Sequence, residues 1–176
     1  DCGYCWQLED QNILSPRFHS ISQPISIEII FDNLCNMSCT YCSPELSSRW
    51  AEKVKDKEWS KGYYQMDDSY YAKQEFIFNW IETMSQRPIE IRISGGEPTI
   101  QPQLFSLLSR INQETTSIIL NTNLNTPDSM LPRVISEINR LTKNDVSVFL
   151  RCSLDGVAEQ NDWQRDGSQW NKAVSN

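Results

Sequence analysis

The chain has 176 residues, a net charge of −7, and 39% hydrophobic against 22% charged residues. These proportions suit a soluble globular domain with its own core. The basic residues are scattered, which argues against a nucleic-acid partner, whose phosphates need clustered Lys and Arg.

No apolar run approaches the roughly 18 residues of a membrane span, and no signal-peptide pattern opens the chain. A cytoplasmic protein without membrane association is expected. The chain begins Asp1-Cys2, without Met, which reads as a piece whose upstream part is missing.

Residues 1–24 form a polar, Cys-containing segment, and the core is expected over 25–176. His19, the single histidine, is given no role. Ile25–Phe31 alternates β-branched and polar residues, a strand. Residues 33–43 form a Cys-rich loop, and 44–66 resist assignment. Ser69–Met84 reads as a helix with Phe76, Ile77, Trp80, Ile81 and Met84 on one face. Ile89–Ser94 is a second strand, followed by a helix marked by Leu104, Leu107, Leu108 and Ile111. Ser117–Leu120 is a third strand. Asp128 or Ser129 is expected to cap a helix that turns Leu131, Val134, Ile135, Ile138 and Leu141 inward. Val146–Leu154 is a fourth strand, and 166–176 the start of another helix. This alternation predicts parallel βαβ units in an α/β fold. A closed eight-unit barrel needs about 250 residues, so a partial barrel cut short after about four units fits better.

Six cysteines stand at 2, 5, 35, 39, 42 and 152. Gaps of two or three residues point to metal ligation rather than to disulfides. Cys35, Cys39 and Cys42 follow the first strand with spacing C-x3-C-x2-C. Three thiolates from one short loop can hold three irons of a cubane and leave the fourth open. Zinc is the rival, with Cys39 and Cys42 joined by Cys2 and Cys5. Gly95-Gly96-Glu97-Pro98 follows the second strand, where glycine allows close backbone approach and Pro98 stiffens the exit. Asn121-Thr122-Asn123 ends the third strand and Ser153-Leu154-Asp155-Gly156 the fourth. Strand C-termini share one face in parallel α/β folds, so these four clusters describe one site.

Cys35-Asn36-Met37-Ser38-Cys39-Thr40-Tyr41-Cys42 followed by Gly95-Gly96-Glu97-Pro98 resembles the radical S-adenosylmethionine (SAM) superfamily. Asn33-Leu34-Cys35-Asn36 and Ser153–Gly156 are similar to its peptide-modifying, twitch/SPASM branches. The resemblance spans roughly residues 25–170. It implies a partial (β/α)6 barrel, of which two strands would be missing. It also implies an enzyme that cleaves SAM reductively at a [4Fe–4S] cluster, making a 5′-deoxyadenosyl radical that abstracts hydrogen from a small-molecule or peptide substrate. The electron donor would be a flavodoxin or ferredoxin.

The resemblance also implies roles. Cys35, Cys39 and Cys42 would ligate the cluster. Tyr41 would lie near the adenine, and Gly95, Gly96 and Glu97, with Pro98 behind them, would hold the methionyl amino group. Asn123 and Ser153 would lie near the ribose or carboxylate, with Asn121 and Asp155 in the same cofactor-binding set. Arg165 would pair with the SAM carboxylate through its planar fork. The plainer alternatives are a surface ion pair for Arg165 and strand-end capping for Asn121, Asn123, Ser153 and Asp155. Cys2-Gly3-Tyr4-Cys5-Trp6 resembles part of an auxiliary-cluster segment, which would hold a second iron–sulfur cluster. The alternative for the whole chain is a non-catalytic iron–sulfur or zinc-binding module.

Side-chain alternation along the strands places Glu28, Glu90, Arg92 and Arg151 together, on the face away from the helices and inside the expected barrel. The same alternation puts Cys152 on the helix side, as a small buried hydrophobe.

Overall fold

The computed structural model describes residues 10–11, 26–54, 68–83, 89–111 and 116–176. Cys2, Cys5, Met84 and the possible second cluster therefore lie outside the described residues. β1 (Ser26–Ile30), β3 (Ile89–Ser94), β4 (Thr116–Thr122) and β5 (Ser147–Cys152) form a four-stranded sheet in the order β1-β3-β4-β5. All three pairings are parallel, and the order runs without reversal. β2 (Ser38–Cys39) and β6 (Arg165–Asp166) form a separate antiparallel bridge. The helices are α1 (Ser48–Lys53), α2 (Asp68–Thr83), α3 (Pro102–Leu108), α4 (Leu131–Lys143), α5 (Glu159–Gln164) and α6 (Trp170–Ser175). Among the described residues, no helix is long and apolar enough to cross a membrane.

Alternation decides the two sheet faces. Ile29, Ile91, Ile93, Ile118 and Leu120 bury against Phe78 and Ile81 of α2, Leu104, Leu107 and Leu108 of α3, and Leu141 of α4. Each fully buried side chain of this size is worth about 1.5–3 kcal/mol. The opposite face carries Glu28, Glu90 and Arg92, with Glu28 level with Arg92 and Asn121 level with Arg151. Arg92 pairs with Glu90 at 3.1 Å, Ser26 donates to Glu90 at 3.0 Å, and Ser94 donates to Glu28 at 2.6 Å. The four charged residues therefore share one face, as alternation predicts.

Four expectations need correction. Cys152 is level with buried Thr122 on the helix side, yet it is exposed, as is Leu150 at 49%. β5 ends the strand order; Val148 near its start still packs on the core, while Leu150 and Cys152 further along stay open, so alternation chose the face but not its cover. In α2 the buried positions are Gln74, Phe78 and Ile81, whereas Phe76 is 72% exposed and Ile77 is also exposed. The helix is rotated because Gln74 takes a core place, donating its Nε2 to the Phe31 carbonyl at 2.7 Å. Neither Asp128 nor Ser129 caps α4: its N-cap is Met130, without a side-chain bond, while Asp128 pairs with Lys172 at 2.8 Å. The same helix buries Val134 and Leu141 but leaves Ile135 45% exposed. Finally, 166–176 is not one continuous helix. β6 closes at Asp166, and α6 begins only at Trp170.

Candidate functional site

The loop after β1 is held in place before any cofactor is considered. Ser47, the N-cap of α1, donates to the Met37 carbonyl at 2.5 Å. Trp50 donates its indole N–H to the Cys39 carbonyl at 2.7 Å, and Arg49 donates to the Asn36 carbonyl at 2.8 Å. On the other side β6 pairs with β2. Thr40 N–H donates to the Gln164 carbonyl at 2.8 Å, and Ser38 Oγ donates to Asp166 at 2.8 Å. Cys39 is buried, and Cys35 and Cys42 are half-buried. All three thiols border one cavity of about 200 Å³.

Gly95 and Gly96 have positive φ angles of 79° and 53°, a conformation that costs other residues. Space forbids a side chain as well. A Cβ on Gly95 would come within 2.3 Å of Ile30 Cγ2, and one on Gly96 within 2.3 Å of the Leu34 carbonyl oxygen. The glycines let the loop after β3 press against β1 and the cysteine loop. Glu97 N–H seals that contact, donating to the Leu34 carbonyl at 2.8 Å.

The Glu97 side chain is 1% exposed. Its Oε1 accepts from the hydroxyls of Thr99 at 2.6 Å and Thr122 at 2.7 Å, and its Oε2 from the Asn123 N–H at 2.7 Å. Burial pushes its pKa up while these donors pull it down. The carboxylate thus ties the Gly95–Pro98 loop to the end of β4. Asn123 in turn donates to Asn36 Oδ1 at 2.8 Å, and Asn36 donates to the Asn125 carbonyl at 2.9 Å. Asn123 therefore reaches the cysteine loop itself.

Asn121, at the end of β4, borders the cavity, and its buried Oδ1 has no partner among the described residues. Such an acceptor is costly unless a donor arrives. Ser153 and Pro98 also border the cavity, and Ser153 N–H donates to the Thr122 carbonyl at 2.8 Å. Arg165 is 9% exposed and lies at the cavity, so it is no surface ion pair. Its Nε stands 2.8 Å from Asp155 Oδ2, out of line for a hydrogen bond. Its Nη1 is 3.9 Å from Cys39 Sγ, and its guanidinium lies 5.7 Å from the Tyr41 ring centre. Tyr41 donates its hydroxyl to Asp155. Asp155 alone of the expected set stands behind the cavity wall, reaching it through Arg165 and Tyr41.

Burial favours the neutral form of all three thiols. Burial pushes the Cys35 thiol up to about 11, and the nearby Glu97, Cys39 and Cys42 add to that. Burial also raises Cys39 and Cys42, with Arg165 opposing the rise at both. Bound metal would deprotonate them outright. Among the described residues, no three Cys, His, Asp or Glu side chains gather closely enough to hold one metal ion. Three thiols bordering one cavity can each take a different iron. The orphan acceptor of Asn121 fits a second, donor-bearing ligand beside them. The residues present therefore fit a [4Fe–4S] cluster with SAM.

Sequence reasoning missed Gln101, which is fully buried and donates to the Leu34 and Gly95 carbonyls at 3.2 and 3.3 Å. It also missed Asn161, which accepts from the Asp155 N–H at 3.1 Å. The usable signal for Asn36 was its place inside the cysteine spacing; Gln101 carried only its position before Pro102.

Comparison with known proteins agrees with the geometry. No curated protein and no solved structure matched the chain. The family model described as the radical SAM superfamily matches residues 29–167, a span from the end of β1 past β6 that includes the three-cysteine loop, the Gly95–Pro98 loop and Arg165. The chain belongs to the radical SAM superfamily.

Proposed function

We propose that this chain holds a [4Fe–4S] cluster on Cys35, Cys39 and Cys42, binds SAM beside it, and abstracts hydrogen from a substrate, with a peptide the favoured class. The observation that carries the reading is that three thiols border one cavity at the C-terminal ends of parallel strands, together with Asn121, whose buried Oδ1 is unpartnered among the described residues. When bound, the two groups supply one-electron reductive cleavage of the sulfonium, which yields a 5′-deoxyadenosyl radical. The protein's part is to position and to exclude water. The Gly95–Pro98 loop presents backbone groups to the methionyl amino group, and Asn121 offers its carbonyl oxygen. Asn123 and Ser153 border the ribose or carboxylate, Arg165 pairs with the carboxylate through its fork, and Tyr41 borders the adenine.

A peptide is favoured by the charged sheet face. Glu28, the Glu90–Arg92 pair and Arg151 offer both signs of charge on the side away from the helices. A peptide backbone with its own termini and polar side chains would match such a surface. The unreversed strand order and one-sided helices favour a partial barrel with that face inside. A flavodoxin or ferredoxin would supply the electron, in a cytoplasmic setting, and Cys2 and Cys5 would serve a second cluster.

Anaerobic reconstitution with iron and sulfide tests the reading. Iron and sulfide near four per chain, with an electron paramagnetic resonance (EPR) signal that changes on adding SAM, would support it. A cluster whose spectrum ignores SAM would contradict it.

A further inference from the structure

Pairing with the SAM carboxylate gives Arg165 one task and leaves its contact with Cys39 unexplained. The residue is buried, yet its Nη1 points at a cysteine sulfur, 3.9 Å from Cys39 Sγ. Its backbone is also the direct antiparallel partner of Cys39 in the β2–β6 bridge. One carboxylate stands behind the guanidinium. Asp155 faces its Nε at 2.8 Å, and Asp155 is itself held by the Tyr41 hydroxyl and, through its N–H, by Asn161. Arg165 is thus joined to one cysteine of the loop twice, by main chain and by side chain.

We infer that Arg165 is a positioning residue for Cys39, donating an N–H···S contact that orients this ligand and raises the reduction potential of the cluster it holds. The inference rests on the cluster reading above. The physics is direct. Reduction adds negative charge that spreads onto the sulfurs, and a hydrogen-bond donor carrying positive charge stabilises the reduced state more than the oxidised one. A guanidinium is suited to this because it stays protonated and its fork lets one nitrogen face Asp155 while another faces sulfur. Asp155 partners the buried cation and sets its direction.

The test uses the full chain, reconstituted anaerobically without SAM and grown with nitrogen-15 arginine. Pulsed EPR of the reduced cluster should show a weak coupling to an arginine nitrogen. Arg165→Lys should abolish it. Arg49→Lys, which removes the guanidinium bonded to the Asn36 carbonyl, should keep it. Redox titration followed by EPR should place the midpoint of Arg165→Gln below that of the wild type, with Arg165→Lys between. A loaded wild-type cluster with no arginine coupling would overturn the inference while leaving the cluster reading intact. So would an Arg165→Gln midpoint equal to that of the wild type. A wild type that takes up no iron would overturn both.

Discussion

Replacing Gly96 by alanine should damage the protein before any cofactor binds. At φ +53° an alanine sits in the left-handed region, at a cost of about 1–2 kcal/mol. Its Cβ would lie 2.3 Å from the Leu34 carbonyl oxygen and 2.8 Å from Gln101 Nε2. Gln101 can swing its amide away; the Leu34 carbonyl cannot move without straining two hydrogen bonds. These come from Glu97 N–H at 2.8 Å and Gln101 at 3.2 Å, each worth about 1 kcal/mol. The sum is about 3–4 kcal/mol, or roughly 10 °C in Tm for a chain of this size. Because Leu34 precedes Cys35, the displaced carbonyl should also lower iron loading. Thermal unfolding of the metal-free protein and iron analysis after reconstitution read both effects. A Tm within about 2 °C of wild type, with full loading, would refute the packing argument and leave the glycine a role only toward ligand.

The remaining predictions concern the same loops. Glu97→Ala strips the acceptor from the buried N–H groups of Asn123 and Thr99, and should cost the metal-free protein about 2–4 kcal/mol of stability, read as a lower urea midpoint; an unchanged midpoint would exclude a structural role for this carboxylate. Single replacements of Cys35, Cys39 or Cys42 by alanine should each lose most bound iron, whereas exposed Cys152→Ala should retain it, and equal loading of all four would contradict the ligand assignment. Cys35 is raised from 9.0 to about 11. A raised folded pKa contributes stability that is complete below the unfolded value and lost as pH climbs through the folded one. The metal-free protein should therefore weaken between about pH 9 and 11, with a shallower slope in Cys35→Ala; identical slopes would count against burial as the cause. At pH 8 a soluble alkylating agent should modify Cys152 well before Cys35, as mass mapping would report.

Much of this was readable in the chain. β3 kept its expected limits because Ile89–Ser94 alternates without ambiguity, and the same alternation put Glu28, Glu90, Arg92 and Arg151 on one face. The cysteine spacing and the Gly95–Pro98 turn both fall at strand ends, and the structure brings them to one cavity. What stayed hidden depends on contacts distant in sequence. The phase of α2 could not be fixed, because apolar residues stand at 76, 77, 78, 80 and 81 and the decision came from Gln74 reaching the Phe31 carbonyl. Cys152 showed its face but not whether a neighbour covers it. The glycines suggested an approach to ligand, whereas their nearest constraints are Ile30 and Leu34. The two-residue bridge of Ser38–Cys39 with Arg165–Asp166 leaves no periodic trace, so the hold of Arg165 on Cys39 could not be read from sequence.

One experiment bears most directly on the central claim. The reconstituted protein, given SAM and dithionite under anaerobic conditions, should release 5′-deoxyadenosine, while the combined Cys35→Ala, Cys39→Ala, Cys42→Ala variant should release none. Intact SAM in the presence of a fully loaded wild-type cluster, or deoxyadenosine from the triple variant, would contradict the account.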